Sequence, residues 1–307
     1  MALANIERSY IPAFENNNYN SYSGETAILA TMHGKEKALA EPFNNLLALR
    51  INVCNGLDTD RLGTFSGEIA RRSSMIQTAI AKARMGIDKT GCAIGIATEG
   101  SFGPDPVVPF ITLHTEVLVF IDDRLGIQVT EFIKTHETVF GSTQAFPGEP
   151  LDTFIEQACF PAHGLIVKPN KSTYLKKMFH GTPIFKGITT REELFECVEH
   201  AASASADGQA HIETDMRAHL NPTRMGVITT LGEKMAAKLL RHCPSCHTPG
   251  WGPVHRKQGL PCQLCKFPTS MTLHEIYGCC RCTYQKEFPR QDGKAFADPT
   301  YCNFCNP

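Results

Sequence analysis

The chain has 307 residues, 42% of them hydrophobic and 20% charged, and a formal net charge of −1 at pH 7. That composition is ordinary for a globular protein, and so small a charge does not mark the whole chain as a binder of nucleic acid or of membrane surfaces. No run of eighteen apolar residues is present, and the first residues lack the basic start and apolar run of a signal peptide, so a cytoplasmic chain with no membrane partner is expected.

Residues 1–24 are polar and rich in Asn, Ser and Tyr, and read as a flexible lead-in. From residue 25 the pattern becomes one of alternating strands and helices. TAILAT (26–31) reads as a strand, and the following segment through Leu49 is helical in composition, with Pro42 starting or kinking it. INVC (51–54) reads as a second strand. Residues 67–87 carry Ile69, Ile76, Ala79, Ile80 and Ala83 at helical spacing, with Ser66 as a cap. GCAIGIATEG (91–100) is a continuous apolar run of the kind found in buried strands. ITLHTEVLVFID (111–122) and GIQVTEFIK (126–134) flank a three-residue turn, a hairpin signal. Further elements follow at 151–160, 164–169, 190–206, 210–214 and 226–242. The order predicts an α/β fold over 25–240, a mixed sheet with flanking helices. A small C-terminal zinc-ribbon domain over 241–307 completes the chain.

Nine of the thirteen cysteines follow residue 242. In a reducing compartment, clustered cysteines read as metal ligands rather than disulfides. Eight of them form four CxxC pairs: Cys243 and Cys246, Cys262 and Cys265, Cys279 and Cys282, Cys302 and Cys305. Each pair presents two thiolates from one tight turn, a knuckle, and two knuckles close a tetrahedral site with no open position. Two structural zinc ions are therefore expected. The gaps between pairs are 15, 13 and 19 residues. We favour sequential ribbons, joining the first pair with the second and the third with the fourth. A cross-braced module would instead join the first with the third. Cys280 makes the run CCRC and competes with Cys279 for its place. A mild basic excess and the aromatics Trp251, Phe267, Tyr284 and Phe288 are compatible with nucleic-acid contact through this segment, and equally with a solvated surface.

Three stretches of the α/β region carry dense polar chemistry. ATMHGKEK (30–37) follows a strand, where backbone amides and a lysine cradle phosphate; His33 and Lys35 are the candidate side chains. TEGSFGPDP (98–106) ends an apolar strand on an acid, and Glu99 is a candidate magnesium ligand, with Ser101 beside it. HIETDMRAHLNPTRM (211–225) holds Asp215, Arg217, His219 and Arg224 ahead of a helix that Asn221 caps and Pro222 opens. If 209–214 is a strand, His211, Glu213 and Asp215 share one face. Arg71 opens the long helix and is a candidate phosphate ligand. His163 and Lys168 lie near another strand.

The order of these motifs resembles the inosine-triphosphate pyrophosphatase and Maf-like superfamily. Ala30-Thr31-Met32-His33-Gly34-Lys35 is similar to that family's Ala-Thr-x-Asn-x-x-Lys turn, one residue shorter and with His33 where Asn is usual. Thr64-Phe65 followed by Ala79, Lys82 and Ala83 resembles its next segment, and Glu99-Gly100-Ser101 its acidic metal-binding turn. Phe160-Pro161-Ala162-His163-Gly164 and the Asp215–Arg224 stretch echo its later motifs. The resemblance implies a magnesium-dependent hydrolase acting on a nucleotide or related phosphoanhydride. Lys35, Glu99 and Asp215 would be its catalytic residues; His33, Arg71, Ser101, Arg217, His219 and Arg224 would contact substrate. The competing reading is a non-enzymatic adaptor for nucleic acid or protein, an inert α/β domain joined to the ribbons. Convergence of the polar groups in one cleft favours the enzyme.

Overall fold

The computed structural model describes residues 20–59, 73–171, 183–290 and 292–307. Arg71, with Thr64, Ser66, Glu68 and Arg72, lies outside the described residues. The fold is mixed α/β with three sheets.

The first sheet has five strands in the order β2-β1-β3-β4-β5. They are β1 (Thr26–Leu29), β2 (Arg50–Val53), β3 (Ile94–Pro104), β4 (Thr112–Asp122) and β5 (Ile127–Thr135). β1 pairs parallel with β2 and β3, while β3, β4 and β5 run antiparallel to one another. Helices α1 (Glu36–Leu47) and α2 (Met75–Thr90) provide the crossovers between the parallel strands. α2 starts on a capping box: the Ser74 hydroxyl accepts from the Gln77 amide and Gln77 reaches back to the Ser74 amide. α1 begins six residues ahead of Pro42 rather than at it.

Alternation along the strands sorts the side chains to two faces. Leu29, Ile96, Leu118 and Phe120 pack under α1 and the last long helix, α5 (Pro222–Leu239). Ile28, Ala97, Val117 and Val119 pack under α2. The strands are apolar on both faces because helices cover both, which is why β3 and β4 read as continuous apolar runs.

The second sheet, in the order β6-β9-β7-β8, is antiparallel throughout. Its strands are β6 (Ser142–Ala145), β7 (Leu165–Pro169), β8 (Phe185–Ile188) and β9 (Ala210–Thr214). α3 (Asp152–Gln157) and α4 (Arg191–Ala204) complete its core, which includes Leu165, Val167, Ile188, Leu194, Val198 and Ile212. The third sheet is the meander β10 (Gly252–Gln258), β11 (Thr272–Gly278) and β12 (Gln285–Pro289), and it carries the cysteines. No helix among the described residues is long and apolar enough to cross a membrane.

Candidate functional site

The eight cysteines gather into two groups, Cys243, Cys246, Cys279 and Cys282, and Cys262, Cys265, Cys302 and Cys305, with the sulfurs of each group within 4.8 Å of one another. The pairing is cross-braced, which corrects the sequential expectation. The reason lies in the strand count. Each gap between knuckles carries one strand rather than a hairpin of two, so successive knuckles fall at opposite ends of the β10-β11-β12 meander. The first and third knuckles meet at one end and the second and fourth at the other. Strands of seven residues, at about 3.4 Å each, put the two groups about 20 Å apart.

The donor sets fit a tetrahedral thiolate site. The Sγ separations are 3.7 Å for Cys243–Cys282, 3.5 Å for Cys246–Cys279, 3.8 Å for Cys262–Cys305 and 3.5 Å for Cys265–Cys302. A metal with four sulfurs at about 2.3 Å requires sulfurs about 3.8 Å apart. The first three knuckles share one backbone design. The amide of the leading cysteine donates to a carbonyl five residues on: Cys243 to Thr248, Cys262 to Phe267, Cys279 to Tyr284. In two of them the residue after the second cysteine, His247 or Lys266, takes the left-handed conformation that turns the chain back. Cys280 is not a ligand. Its thiol donates to the Pro249 carbonyl, and its side chain packs against the core of the first sheet. The first metal group is thereby seated on that sheet: the Gly250 and Trp251 amides both donate to the Arg241 carbonyl just past α5, and Trp251 is buried. The second group sits at the free end of the meander.

The second concentration of chemistry lies where β3 runs on beyond the end of β1. There the edge of β3, which no other described strand covers, is met by Lys35 at the start of α1. Its ammonium donates to the Thr98 carbonyl (3.0 Å) and hydroxyl (2.7 Å), in the place a further residue of β1 would have filled. On the α5 face, Glu116 of β4 accepts from Arg224 Nε (3.0 Å) and Nη2 (3.1 Å), lies 3.1 Å from His114 Nε2 and 3.7 Å from the Lys35 ammonium. On the α2 face, Lys82 donates to Glu99 at 2.6 Å. Lys35, Lys82, Glu99, Glu116, His114 and Arg224 are all buried.

Among the described residues, three lysine and arginine cations thus stand against two carboxylates in a place nearly without water. Charge in such a place is costly unless paired. Burial, with Arg224 adding like charge, lowers the Lys35 pKa from 10.5 to about 8. Burial works to raise the Glu116 carboxyl, but Arg224 and Lys35 hold it well below the usual carboxylate range. Gly100 is required by this packing. A Cβ there would stand 2.4 Å from Glu116 Oε2 and 2.5 Å from Arg224 Nη2.

Beside the cluster, outside the carboxyl ends of β1 and β2, is a crevice of about 530 Å³ lined by Thr31, Met32, Gly34, Glu36 and residues 53–58. Open α/β sheets bind ligands in this position. His33 stacks on His219 with ring centroids 5.2 Å apart, and His219 also contacts the Gly34 backbone region, where an added Cβ would lie 3.6 Å away. Burial, and then the Arg217 charge, lower the His219 pKa.

The sequence candidates therefore divide. Lys35, Glu99 and Arg224 converge on β3 and β4, Glu99 on the α2 face, Arg224 on the α5 face, and Lys35 at the strand edge within electrostatic reach of both. His33 and His219 meet beside Gly34. Ser101 lies in β3 two residues beyond Glu99 on the same face. Asp215 does not share a strand face with His211 and Glu213, because β9 ends at Thr214. Its buried carboxylate takes Arg217 through Nε at 3.0 Å and Nη2 at 2.7 Å. His211 and Glu213 do share a face, with Lys168 donating 2.9 Å bonds to Glu213. His163 is buried, its Nε2 lying 3.0 Å from the Thr223 hydroxyl. Glu116 and His114 were missed as site residues. Their signal was two ionisable side chains at alternate positions inside an otherwise apolar strand.

An α/β protein with a buried, cation-rich strand edge and a cross-braced pair of tetracysteine groups is the class that fold and sites define. Residues 82–307 match the sequence profile of the family described as Domain of unknown function (DUF6671), and the chain belongs to that family. The matched span contains Lys82, Glu99, Glu116, Arg224 and all eight paired cysteines, and begins beyond His33 and Lys35. None of the curated proteins compared with the chain matches it significantly.

Proposed function

We propose that the α/β region is a magnesium-dependent hydrolase of a nucleotide or related phosphoanhydride, and that the two tetracysteine groups hold structural zinc. The observation that carries the first reading is the gathering of three buried cations, Lys35, Lys82 and Arg224, at the edge of β3, next to an open crevice. Burial and the neighbouring Arg224 disfavour the Lys35 charge, and a phosphate oxygen beside it would relieve that cost. In this reading Lys35, with the amides at the start of α1, receives the phosphates, and Arg224 fixes Glu116 beneath them. Glu99 supplies a carboxylate to a magnesium ion, which binds through one or two carboxylates and the substrate's own phosphates. The ion would polarise the phosphoryl group and activate water. His33 and His219 stack beside Gly34, which lines the crevice, and stacked imidazoles would suit a flat base.

The zinc reading rests on closed all-thiolate sets with tetrahedral separations and no open position. Such sites brace a fold, and the ribbons would present or contact a partner rather than react.

Titration of the full-length protein with magnesium and inorganic tripolyphosphate tests the phosphate reading. Binding by wild type, weakened at least ~100-fold in Lys35→Met, is expected. Equal binding by the two proteins would remove Lys35 from the site.

A further inference from the structure

The free end of the cysteine meander carries an unusual surface. Leu264 (71% exposed), Phe267 (56%), Phe296 (45%), Tyr301 (60%) and Phe304 (69%) all lie in or beside the second and fourth knuckles. Phe267 and Phe304, one from each knuckle, stack with centroids 5.0 Å apart, and the Lys266 ammonium lies 4.0 Å over the Phe296 ring. Leu264 and Phe304 occupy the same position in their knuckles, the residue before the second cysteine. None of these side chains is needed to close the metal site, since the sulfurs are held by the knuckle backbone. They stand outward from it.

Single exposed apolar residues need no explanation, but a contiguous patch does. At about 200 Å² per side chain, these exposures leave about 600 Å² of apolar surface open, the upper end for a monomer. A stable interface between two copies takes about 800 Å² from each. The patch with its polar rim of Gln263, Lys266 and Asn303 reaches that size.

Charge decides between occupants. Lys266, Arg290 and Lys294 face Asp292 and Asp298 at this end, an excess of one cation. Four thiolates on a divalent metal add a charge of −2, so the metal-loaded end is close to neutral and slightly acidic. A strand of nucleic acid gains little there, because its affinity comes from cations. Two copies of the same end repel only weakly, because the like charge is small and screened by salt, and the aromatic patch is left to act.

We propose that the knuckle end formed by residues 259–271 and 292–307 is a self-association surface that joins two chains of this protein about a two-fold axis. A two-fold contact buries the same patch on both chains, as isologous dimers do. Phe304 and Leu264 are its centre.

The test is sedimentation equilibrium of the metal-loaded full-length protein between about 1 and 100 μM, with metal content measured on each sample. Wild type is expected at twice the chain mass. Leu264→Ser and Phe304→Ser, each still holding two metal ions per chain, are expected to raise the dimer dissociation constant at least ~100-fold, since each removes more than 100 Å² of apolar contact per chain. If either variant loses metal, Tyr301→Ser takes its place. Wild type remaining at the single-chain mass up to about 100 μM would overturn the proposal, as would variants that dimerise like wild type. Retardation of a single-stranded oligonucleotide by a monomeric wild type, lost in Phe304→Ser, would overturn it in favour of a nucleic-acid surface.

Discussion

Replacing Lys35 by Met separates the binding role of the buried cluster from its structural one. The lysine pKa is lowered from 10.5 to about 8, so holding the ammonium charged at neutral pH costs the fold about 3 kcal/mol. Met keeps the length of the side chain and removes that cost, while losing the bonds to the Thr98 carbonyl and hydroxyl, worth about 2–3 kcal/mol together. The two nearly cancel. The stability of Lys35→Met, measured by urea unfolding at pH 7, is expected within about 1 kcal/mol of wild type. Ligand binding is expected to change far more. An anion that restores the ordinary lysine pKa recovers up to about 3 kcal/mol in wild type, roughly 150-fold in affinity, and none in the variant. Calorimetric titration with tripolyphosphate and magnesium at several pH values reads both effects. Because the folded pKa lies below the unfolded one, the unfolded chain binds more protons between about pH 8 and 10.5, and stability gains from Lys35 as pH rises through that window. Phosphate binding needs the ammonium, so affinity is expected to fall above about pH 8 in wild type and to lose that pH dependence in Lys35→Met. A variant destabilised by more than about 3 kcal/mol, with unchanged affinity, would show Lys35 to be a structural member of the ion-pair network and refute the reasoning.

Gly100→Ala is expected to destabilise the protein by about 3–5 kcal/mol in the same unfolding assay, because the new Cβ opens the buried Glu116–Arg224 pair. Stability close to wild type would mean that the pair shifts freely. Cys302→Ser is expected to lower the metal content from two ions to one without moving the emission of Trp251, the single tryptophan, whereas Cys282→Ser is expected to red-shift it, since Trp251 is buried beside the first group. Loss of both metals from either variant would contradict the cross-brace.

The four knuckles and most helices and strands of the α/β region were legible locally, because CxxC spacing, helical periodicity and apolar runs are local signals. The pairing of knuckles was not. It depends on how many strands each gap holds, and 13 to 19 residues accommodate either one strand or a short hairpin. The second sheet was hidden for a similar reason: β6 and β8 are four residues long and only partly buried, so neither shows a period. Lys82 reads as the polar side of an amphipathic helix until β3 brings Glu99 to it across 17 positions. Glu116 was visible as a charge in an apolar strand, but its partner Arg224 is 108 residues away. Asp215 and Arg217, dense in polar chemistry, turned out to clamp each other.

The most direct test of the phosphoanhydride reading is pyrophosphate or phosphate release by the purified, metal-loaded protein with magnesium, screened across canonical and deaminated nucleoside triphosphates. The account predicts release from at least one of them, abolished in Lys35→Met and in Glu99→Gln while both remain folded. No release from any of them by folded wild type, or release undiminished in both variants, would contradict it.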